Sequence, residues 1–566
     1  MTAAWRAVGR RRVRAASACL ACAALTSGCA ALRGYTETTS AAMPVAPGTP
    51  PGLYRLAFDD FHGLNTDTMA RSALPWKLLA AALVDEERTR DPALPLTEES
   101  AVALMSRRYG FLRPTRIANW PSAAPPPPLS PHRPLGLVDG TLRRSFPTVS
   151  LEVVNTGCST CHAGMLYDAD GNPTGEAWIG LPSTSINVGR YAREVFAAFQ
   201  RAIADPEGLF ATIRIMFPAV SPEELATMRR YVLPELETRI PKLAATIGGF
   251  TPYSVGSPGL VNGVGTMKWY LGMIPADRPA PGEVAFSVVP EFGGLRWRSS
   301  ILTDGIYAPP GWRHSGPWPG GPSPANRDAM AGVATLVTVG TLGVDFPVAA
   351  GPNVAPIRDV VDFLVDGYRA PEYPGPFDRA LAARGGAVYA ERCARCHGQY
   401  AGEPDHPRLV EFPNRLIPVE VIETDPLRAD AATDEAMTVF SRTALGPHIA
   451  SKRTAAYVAS PLGAVWATAP YLHNGSVPTL WHLMHPAARP ARFEVGGHKL
   501  DYDRVGVAGE VAADGVFRYP PAYRPWSLPE VYDTRLPGRS NRGHEEPFDE
   551  MTEADKRAVL EFLKRL

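Results

Sequence analysis

Four cysteines constrain this chain more than any other feature. Cys158-Ser159-Thr160-Cys161-His162 and Cys393-Ala394-Arg395-Cys396-His397 both spell Cys-x-x-Cys-His. Two thiols about one helical turn apart can add to the two vinyl groups of one haem, and the next residue's imidazole then reaches the iron as an axial ligand. Other readings of these cysteines carry less weight. A disulfide or a thioredoxin-like redox pair leaves both histidines as coincidence. A four-cysteine zinc site usually sets its pairs about 15–20 residues apart, and these lie more than 200 apart. The spacing predicts two covalently attached haem c groups, held through Cys158, Cys161, Cys393 and Cys396, with His162 and His397 on the irons.

A covalent tether suits a protein outside the cytoplasm, where lost cofactor is not easily replaced. The N-terminus agrees. Arg6, Arg10, Arg11, Arg12 and Arg14 form a basic region, Ala15 to Leu25 is a short apolar run, and Leu25-Thr26-Ser27-Gly28-Cys29 places a cysteine after small residues. This reads as a secretory signal of lipoprotein type over residues 1–28. Cleavage would leave Cys29 as a lipidated N-terminus; an ordinary signal cut nearby is the alternative. The apolar run falls short of the ~20 residues of a membrane span, and no later segment is long and apolar enough. The expected location is the periplasm, with a lipid anchor to the outer membrane. Cys19 and Cys22 leave with the signal, so every mature cysteine but Cys29 lies in a Cys-x-x-Cys-His motif. Lys+Arg and Asp+Glu both count 57; no net charge draws the chain onto nucleic acid. Nothing reads as a zinc finger, P-loop or Rossmann fingerprint.

The length, 566 residues, allows two or three domains. Residues 29–140 read as a tether and an N-terminal extension, Ala/Pro/Thr-rich over 30–50 and with a proline cluster from Pro121 to Pro134. Residues 141–375 read as an N-terminal haem domain with an insertion. Tyr191 to Ala204 and Pro222 to Ile247 have helical periodicity, while 250–375 read as loops with short helices. Pro371 to Pro376 looks like a linker into a C-terminal cytochrome c domain, 376–566. There, Phe377 to Cys393 reads as a helix feeding the second motif. Thr552 caps a closing amphipathic helix with apolar Val559, Phe562, Leu563 and Leu566, placed to pack on the first. No strand alternation stands out. The expected fold is mainly α: two cytochrome c-like haem domains with a loop-rich insertion and an N-terminal extension.

Ser460-Pro461-Leu462-Gly463-Ala464-Val465-Trp466-Ala467-Thr468-Ala469-Pro470-Tyr471-Leu472-His473-Asn474-Gly475-Ser476-Val477-Pro478-Thr479-Leu480 resembles the C-terminal signature of the bacterial di-haem cytochrome c peroxidase superfamily, which includes the methylamine dehydrogenase maturation enzyme. The chain is more similar to a branch with rubber oxygenase and the di-haem fatty-acid dioxygenases and diol synthases. Gly180-Leu181-Pro182-Ser183-Thr184-Ser185, Arg489-Pro490 with Phe493, Tyr532-Asp533-Thr534 and Ser540-Asn541-Arg542-Gly543-His544 support this. The resemblance covers most of the chain from about residue 150, most strongly 377–566. It implies two haem domains packed face to face, an N-terminal haem with an open or labile sixth site that does the chemistry, and a C-terminal haem that relays electrons. His162 and His397 are then the proximal ligands, His544 the second ligand of the C-terminal haem, and His473 the signature histidine at that haem's edge. A calcium ion between the haems would fit the wider superfamily, although no acidic loop specifies its ligands. Gly463-Ala464 stands where the pattern has Asn-Gly, and Arg539 where it has Asn.

For the C-terminal haem, His473 and Met484 are alternatives to His544, and His482, His485 and His498 read as surface residues. No distal ligand is evident for the N-terminal haem, unless His62, His132 or His314 folds over it. Trp269, Trp297 and Trp466 are candidates for an electron or radical path, each weighed against a plain core role. Arg296-Trp297-Arg298 is the most suggestive, since two cations beside an indole could hold haem propionates; Trp297 is the catalytic candidate. Asp304-Gly305 reads as a turn. The expected activity is a haem-dependent oxidoreductase: dioxygen or hydrogen peroxide at the N-terminal haem, and dioxygenation of an unsaturated apolar substrate such as a fatty acid or polyisoprene. Cytochrome c peroxidase activity, plain electron transfer with a donor protein, or an inactive partner-modifying role are the alternatives. A second protein ligand on the N-terminal haem would mark the plain carrier.

Overall fold

The structure is a computed structural model that describes residues 35–38, 47–58, 74–145, 148–247, 256–274, 285–316, 327–334, 354–403 and 405–566. Residues 1–28, expected to be a secretory signal, together with Cys29 and His62, lie outside the described residues. Among the described residues helix makes up 39% and strand 17%, so helix dominates while strand is far from negligible. No described helix is long and apolar enough to cross a membrane.

The N-terminal half is built on helices α1 (Pro51–Phe58), α2 (Trp76–Arg88) and α3 (Glu98–Tyr109). In α2, Trp76 to Val84 is almost continuously apolar and buried, as befits a helix covered on all sides. Trp76 Nε1 donates to Glu98 at 2.7 Å, and the Arg133 guanidinium lies 4.0 Å over its ring. Thr97 caps α3 by accepting from Ser100 N, and Gly110 ends it at φ 79°.

Strands β1 (Leu137–Ser145) and β2 (Thr148–Thr156) then form an antiparallel hairpin. Gly157 turns it into α4 (Ser159–His162), the first haem-type motif, and β3 (Ala163–Tyr167) leaves to pair with β4 (Pro173–Ile179). Strands therefore flank the motif where no strand was expected. Val149, Leu151 and Val153 do alternate with Ser150 and Glu152, a pattern cut short by Val154. Helices α5 (Val188–Ala204), α6 (Leu233–Ile247) and α7 (Gly263–Tyr270), a short β5 (Ser287–Val288) and α8 (Val354–Asp362) follow in this half, among other short elements.

In the C-terminal half, α9 (Arg379–Arg392), capped by Asp378, runs into α10 (Ala394–His397). After α11 (Leu480–Met484), β6 (Arg492–Val495) pairs with β7 (Phe517–Arg518) and β8 (Glu530–Asp533). The closing helix α12 (Glu553–Leu563), capped by Thr552, crosses α9. The crossing needs glycine, because a Cβ at Gly385 would lie 1.9 Å from the Ala558 carbonyl oxygen. Tyr389 and Phe562 pack beside it at 5.0 Å.

Two apolar cores result, and they trade residues. Ala431 to Ile449 packs into the N-terminal core, where Phe440 meets Tyr307 at 4.9 Å. Tyr167, Leu181, Leu260 and Phe286 pack into the C-terminal one.

Candidate functional site

At the first motif, Cys161 N and His162 N both donate to Cys158 O, at 3.2 and 2.9 Å, which closes a single helical turn. The intervening residues fasten it. Ser159 Oγ donates to Ala57 O at the end of α1, and Thr160 Oγ1 donates to Gly136 O at 2.7 Å. Gly136 must be glycine: its φ is 96°, and a Cβ there would lie 2.5 Å from Thr160 N. The second motif repeats the turn, with Cys396 N and His397 N donating to Cys393 O at 3.0 Å. None of the four cysteines is in a disulfide. Burial pushes the Cys161 and Cys393 thiols up to about 12.

The histidines of the two motifs differ in their surroundings. His397 Nδ1 bonds to Ser460 O at 2.7 Å. A carbonyl there fixes the proton on Nδ1 and leaves the Nε2 lone pair for a metal. The His544 ring lies 5.9 Å from it, inclined by 41°. Metal–imidazole bonds of about 2 Å fit an iron between rings at that separation. Burial, with His397 alongside, pushes His544 down to about 4, and burial lowers His397 as well against the opposing Ser460 carbonyl, so both rings favour the neutral form that ligates. His162 instead has the Phe292 ring at 4.4 Å, and its buried Nδ1 has no hydrogen-bond partner. Burial lowers it to about 4.

Both motifs, with His473 and His544, line one cavity of 1490 Å³. That exceeds the roughly 300–1,000 Å³ of a site for one small ligand. Arg298 also lines it; its Nε is buried without a partner, and burial lowers the guanidinium to about 10. Arg428 lines it as well and pairs with buried Asp304, Nε to Oδ2 3.0 Å. Thiols, neutral imidazoles, an uncommitted guanidinium nitrogen and sufficient volume together fit covalent haem, with Arg298 available to a propionate.

The other sequence candidates fall as follows. His473 stacks on Tyr457 at 4.1 Å, and burial beside Arg428 pushes it down to about 3. It lines the cavity, but it is His544 that faces His397. Met484 is buried in the cavity wall. His482 and His498 are buried, 3% and 0% exposed, which corrects the surface reading. Apolar packing explains it, since His482 meets Phe517 and His498 stacks on Tyr167. His485 bonds to Trp481 O and Glu553. His132 is exposed beside Glu98, and His314 Nδ1 bonds to Gly305 O at 2.7 Å; neither lines the cavity.

Trp297 lies in a short 3-10 turn with Arg296 over its face at 5.7 Å. Its neighbours Leu295 and Arg298 line the cavity, and Trp297 does not. Trp466 is core, packed against Tyr373 at 5.6 Å, and the side chain of Trp269 lies outside the described residues. Asp304 is more than a turn residue, because its carboxylate carries the buried pair with Arg428. Among the described residues no group of three or more His, Cys, Asp or Glu could hold a metal ion. Phe292 and Glu291 were not singled out from the sequence. They sit between Pro290 and Gly293 with no motif to mark them.

Residues 456–494 match the family model described as RoxA-like, cytochrome c-like. This supports a haem-dependent cytochrome and implies covalently bound haem c. Two uncharacterized proteins of Sinorhizobium fredii are similar to parts of the chain. One, y4iM, is 30% identical over 234 residues, which are 36% of this chain and 50% of that protein. The other, y4iJ, is 31% identical over 235 residues, 32% of this chain and 37% of that protein. The chain thus spans half or less of the length of these curated relatives.

Proposed function

We propose that the protein is an exported di-haem c-type cytochrome that works as a haem-dependent oxidoreductase. One haem is held by Cys158, Cys161 and His162, the other by Cys393, Cys396, His397 and His544. Bound haem supplies the electron-transfer and dioxygen chemistry; the protein supplies ligation, orientation and an apolar pocket. The unlike surroundings of the two proximal imidazoles carry this reading. His397 has a second imidazole 5.9 Å away, whereas no imidazole packs against His162 among the described residues. A haem held at the first motif would thus be the one to supply dioxygen or peroxide chemistry, and one held by His397 and His544 together would serve to relay electrons. Trp297, adjacent to cavity-lining Arg298, is the candidate for electron passage. The N-terminal segment supports export to the periplasm and a lipid anchor at Cys29.

The part of the cavity wall that belongs to the N-terminal core, with Cys158, is apolar: Leu79 of α2, Val195 and Phe199 of α5, Ile240 of α6, Val264 of α7 and Val361 of α8. Such a wall suits an unsaturated hydrocarbon chain and supports dioxygenation of a fatty acid or polyisoprene. Glu291 favours a second reading, peroxide reduction. Its carboxyl lines the cavity next to Phe292, accepts from Gly293 N at 2.8 Å, and is pushed up to about 7 by burial. A carboxyl that exchanges its proton near neutrality suits acid–base assistance of O–O cleavage.

The test is an EPR spectrum of the oxidised, haem-loaded protein, followed by oxygen uptake with oleate and with polyisoprene and by peroxide turnover. One high-spin and one low-spin signal with substrate-dependent oxygen uptake would support dioxygenation. Peroxide turnover without uptake would select the peroxidase. Two low-spin signals and no turnover would leave a plain electron carrier.

A further inference from the structure

His544 is held in an unusual way. Its φ is 54°, a left-handed conformation that a non-glycine residue keeps only when its surroundings over-determine it. It follows Gly543, φ 86°, whose absent Cβ would lie 2.4 Å from both Ile422 O and Thr424 N. His544 N donates to Ile422 O at 2.8 Å, and Ser540 N to Asp425 Oδ2 at 3.0 Å. These contacts fix one side of the loop against segment 422–425.

The other side is fixed by Arg489. Its side chain is only 3% exposed. Nη1 donates to Asn541 O at 2.6 Å and Gly543 O at 3.0 Å; Nη2 donates to Leu483 O at 2.8 Å and Nε to His482 O at 3.2 Å. Two acceptors belong to the loop that carries His544 and two to α11. Glu545 supplies the counter-charge from 3.8 Å. A buried guanidinium normally seeks a bidentate carboxylate. Here its rigid fork is given to main-chain carbonyls, and what that arrangement defines is the distance between α11 and residues 541–543. Lysine cannot copy it, because its donors radiate from a single nitrogen.

We propose that Arg489 is the positioning residue for His544, clamping the Asn541 and Gly543 carbonyls to α11 so that the imidazole stays opposite His397. The proposal rests on the reading of His544 as the second axial ligand. It makes Arg489 responsible for the spin state and potential of the C-terminal haem without touching the iron.

The experiment compares full-length, haem-loaded Arg489→Ala, Arg489→Lys and His544→Ala with the parent protein by EPR and redox titration. His544→Ala is expected to lose the low-spin ferric signal of the C-terminal haem. Arg489→Ala should lose it too, and Arg489→Lys should give a mixture. Added imidazole should restore low spin in each, and the midpoint potential of that haem should rise wherever low spin is lost. Arg489 variants with unchanged spectrum and potential, beside a high-spin His544→Ala, would overturn the clamp alone. An unchanged spectrum in His544→Ala would overturn the ligand reading and the clamp with it. If Arg489→Ala does not accumulate, Arg489→Lys decides: lowered thermal stability with unchanged spin state would make the arginine merely structural and refute its positioning role.

Discussion

Replacing Gly385 by alanine asks whether the α9–α12 crossing is held by direct backbone contact. The added Cβ would fall 1.9 Å from the Ala558 carbonyl oxygen and 2.4 Å from its carbon. A backbone carbonyl cannot rotate aside, so the helices must part until that contact passes 3.0 Å. Parting them loosens the Tyr389–Phe562 packing and the burial of Val559 and Leu563. Overpacking of this kind costs about 1–3 kcal/mol, and the rigid obstacle argues for the upper end. Against it stands a gain of about 1 kcal/mol from replacing a mid-helix glycine. The net loss is about 2 kcal/mol, or roughly 4–8 °C in a domain of this size. Gly386→Ala is the control. Its Cβ would meet only the Phe562 ring, at 3.2 Å, and a ring can tilt, so the change should stay within about 1 kcal/mol of the parent. Thermal unfolding of the haem-loaded chain, followed by circular dichroism and by the Soret band, reads both. Should Gly385→Ala melt with the parent while Gly386→Ala melts earlier, the backbone-contact reasoning is wrong.

Cys158→Ala with Cys161→Ala should leave one covalent haem by mass spectrometry; loss of both would contradict independent attachment. Arg298→Met removes a buried cation from the cavity wall and should lower the midpoint potential of one haem, since a nearby positive charge favours the reduced iron; unchanged potentials would place Arg298 away from both. His482 is held down to about 4 by burial, with Arg504, His485 and Arg489 adding to it. Its folded value lies below the ordinary one near 6.5, so the stability it contributes is full above about pH 6.5 and is lost as pH falls toward 4, by up to about 3 kcal/mol. His482→Gln should therefore make the fall of melting temperature between pH 6.5 and 4 less steep than in the parent, with the remaining slope left to the other buried histidines, and a slope equal to the parent's would refute the assignment.

Local chemistry was legible in the sequence. Each Cys-x-x-Cys-His pentapeptide is a contiguous turn, and the structure closes it with bonds back to the first cysteine. The α9 and α12 helices were readable from their apolar stripes and, for α12, from the Thr552 cap, while the Asp378 cap of α9 emerged only in the structure, and His544 was suggested by the resemblance. What depends on distant backbone was not. Phe292 meets His162 only because residues far apart in the chain converge on one cavity. Arg489-Pro490 was visible as a pattern, but its partners are carbonyls, which carry no residue-type signature. The Leu137–Thr156 hairpin escaped because hydrogen bonding to a second strand, more than side-chain alternation, defines it. Arg539, a departure from the family pattern, donates to Ser257 Oγ at 2.8 Å and lies 5.1 Å over Phe286 and 4.9 Å over Tyr532. It ties the His544 loop to the N-terminal half by contacts that no local reading supplies.

The exchange of residues between the two cores sets a timetable. A chain that emerges from its amino end presents Cys158 and Cys161 long before Phe440 and Ile449 exist to close the core around them. That core is therefore incomplete while Cys158 and Cys161 are already present, and on the proposed function this is the interval in which their thiols would be open to a porphyrin. A chain cut before Ala431 would lack Phe440 and Ile449, and with them part of the core against which Cys158 packs.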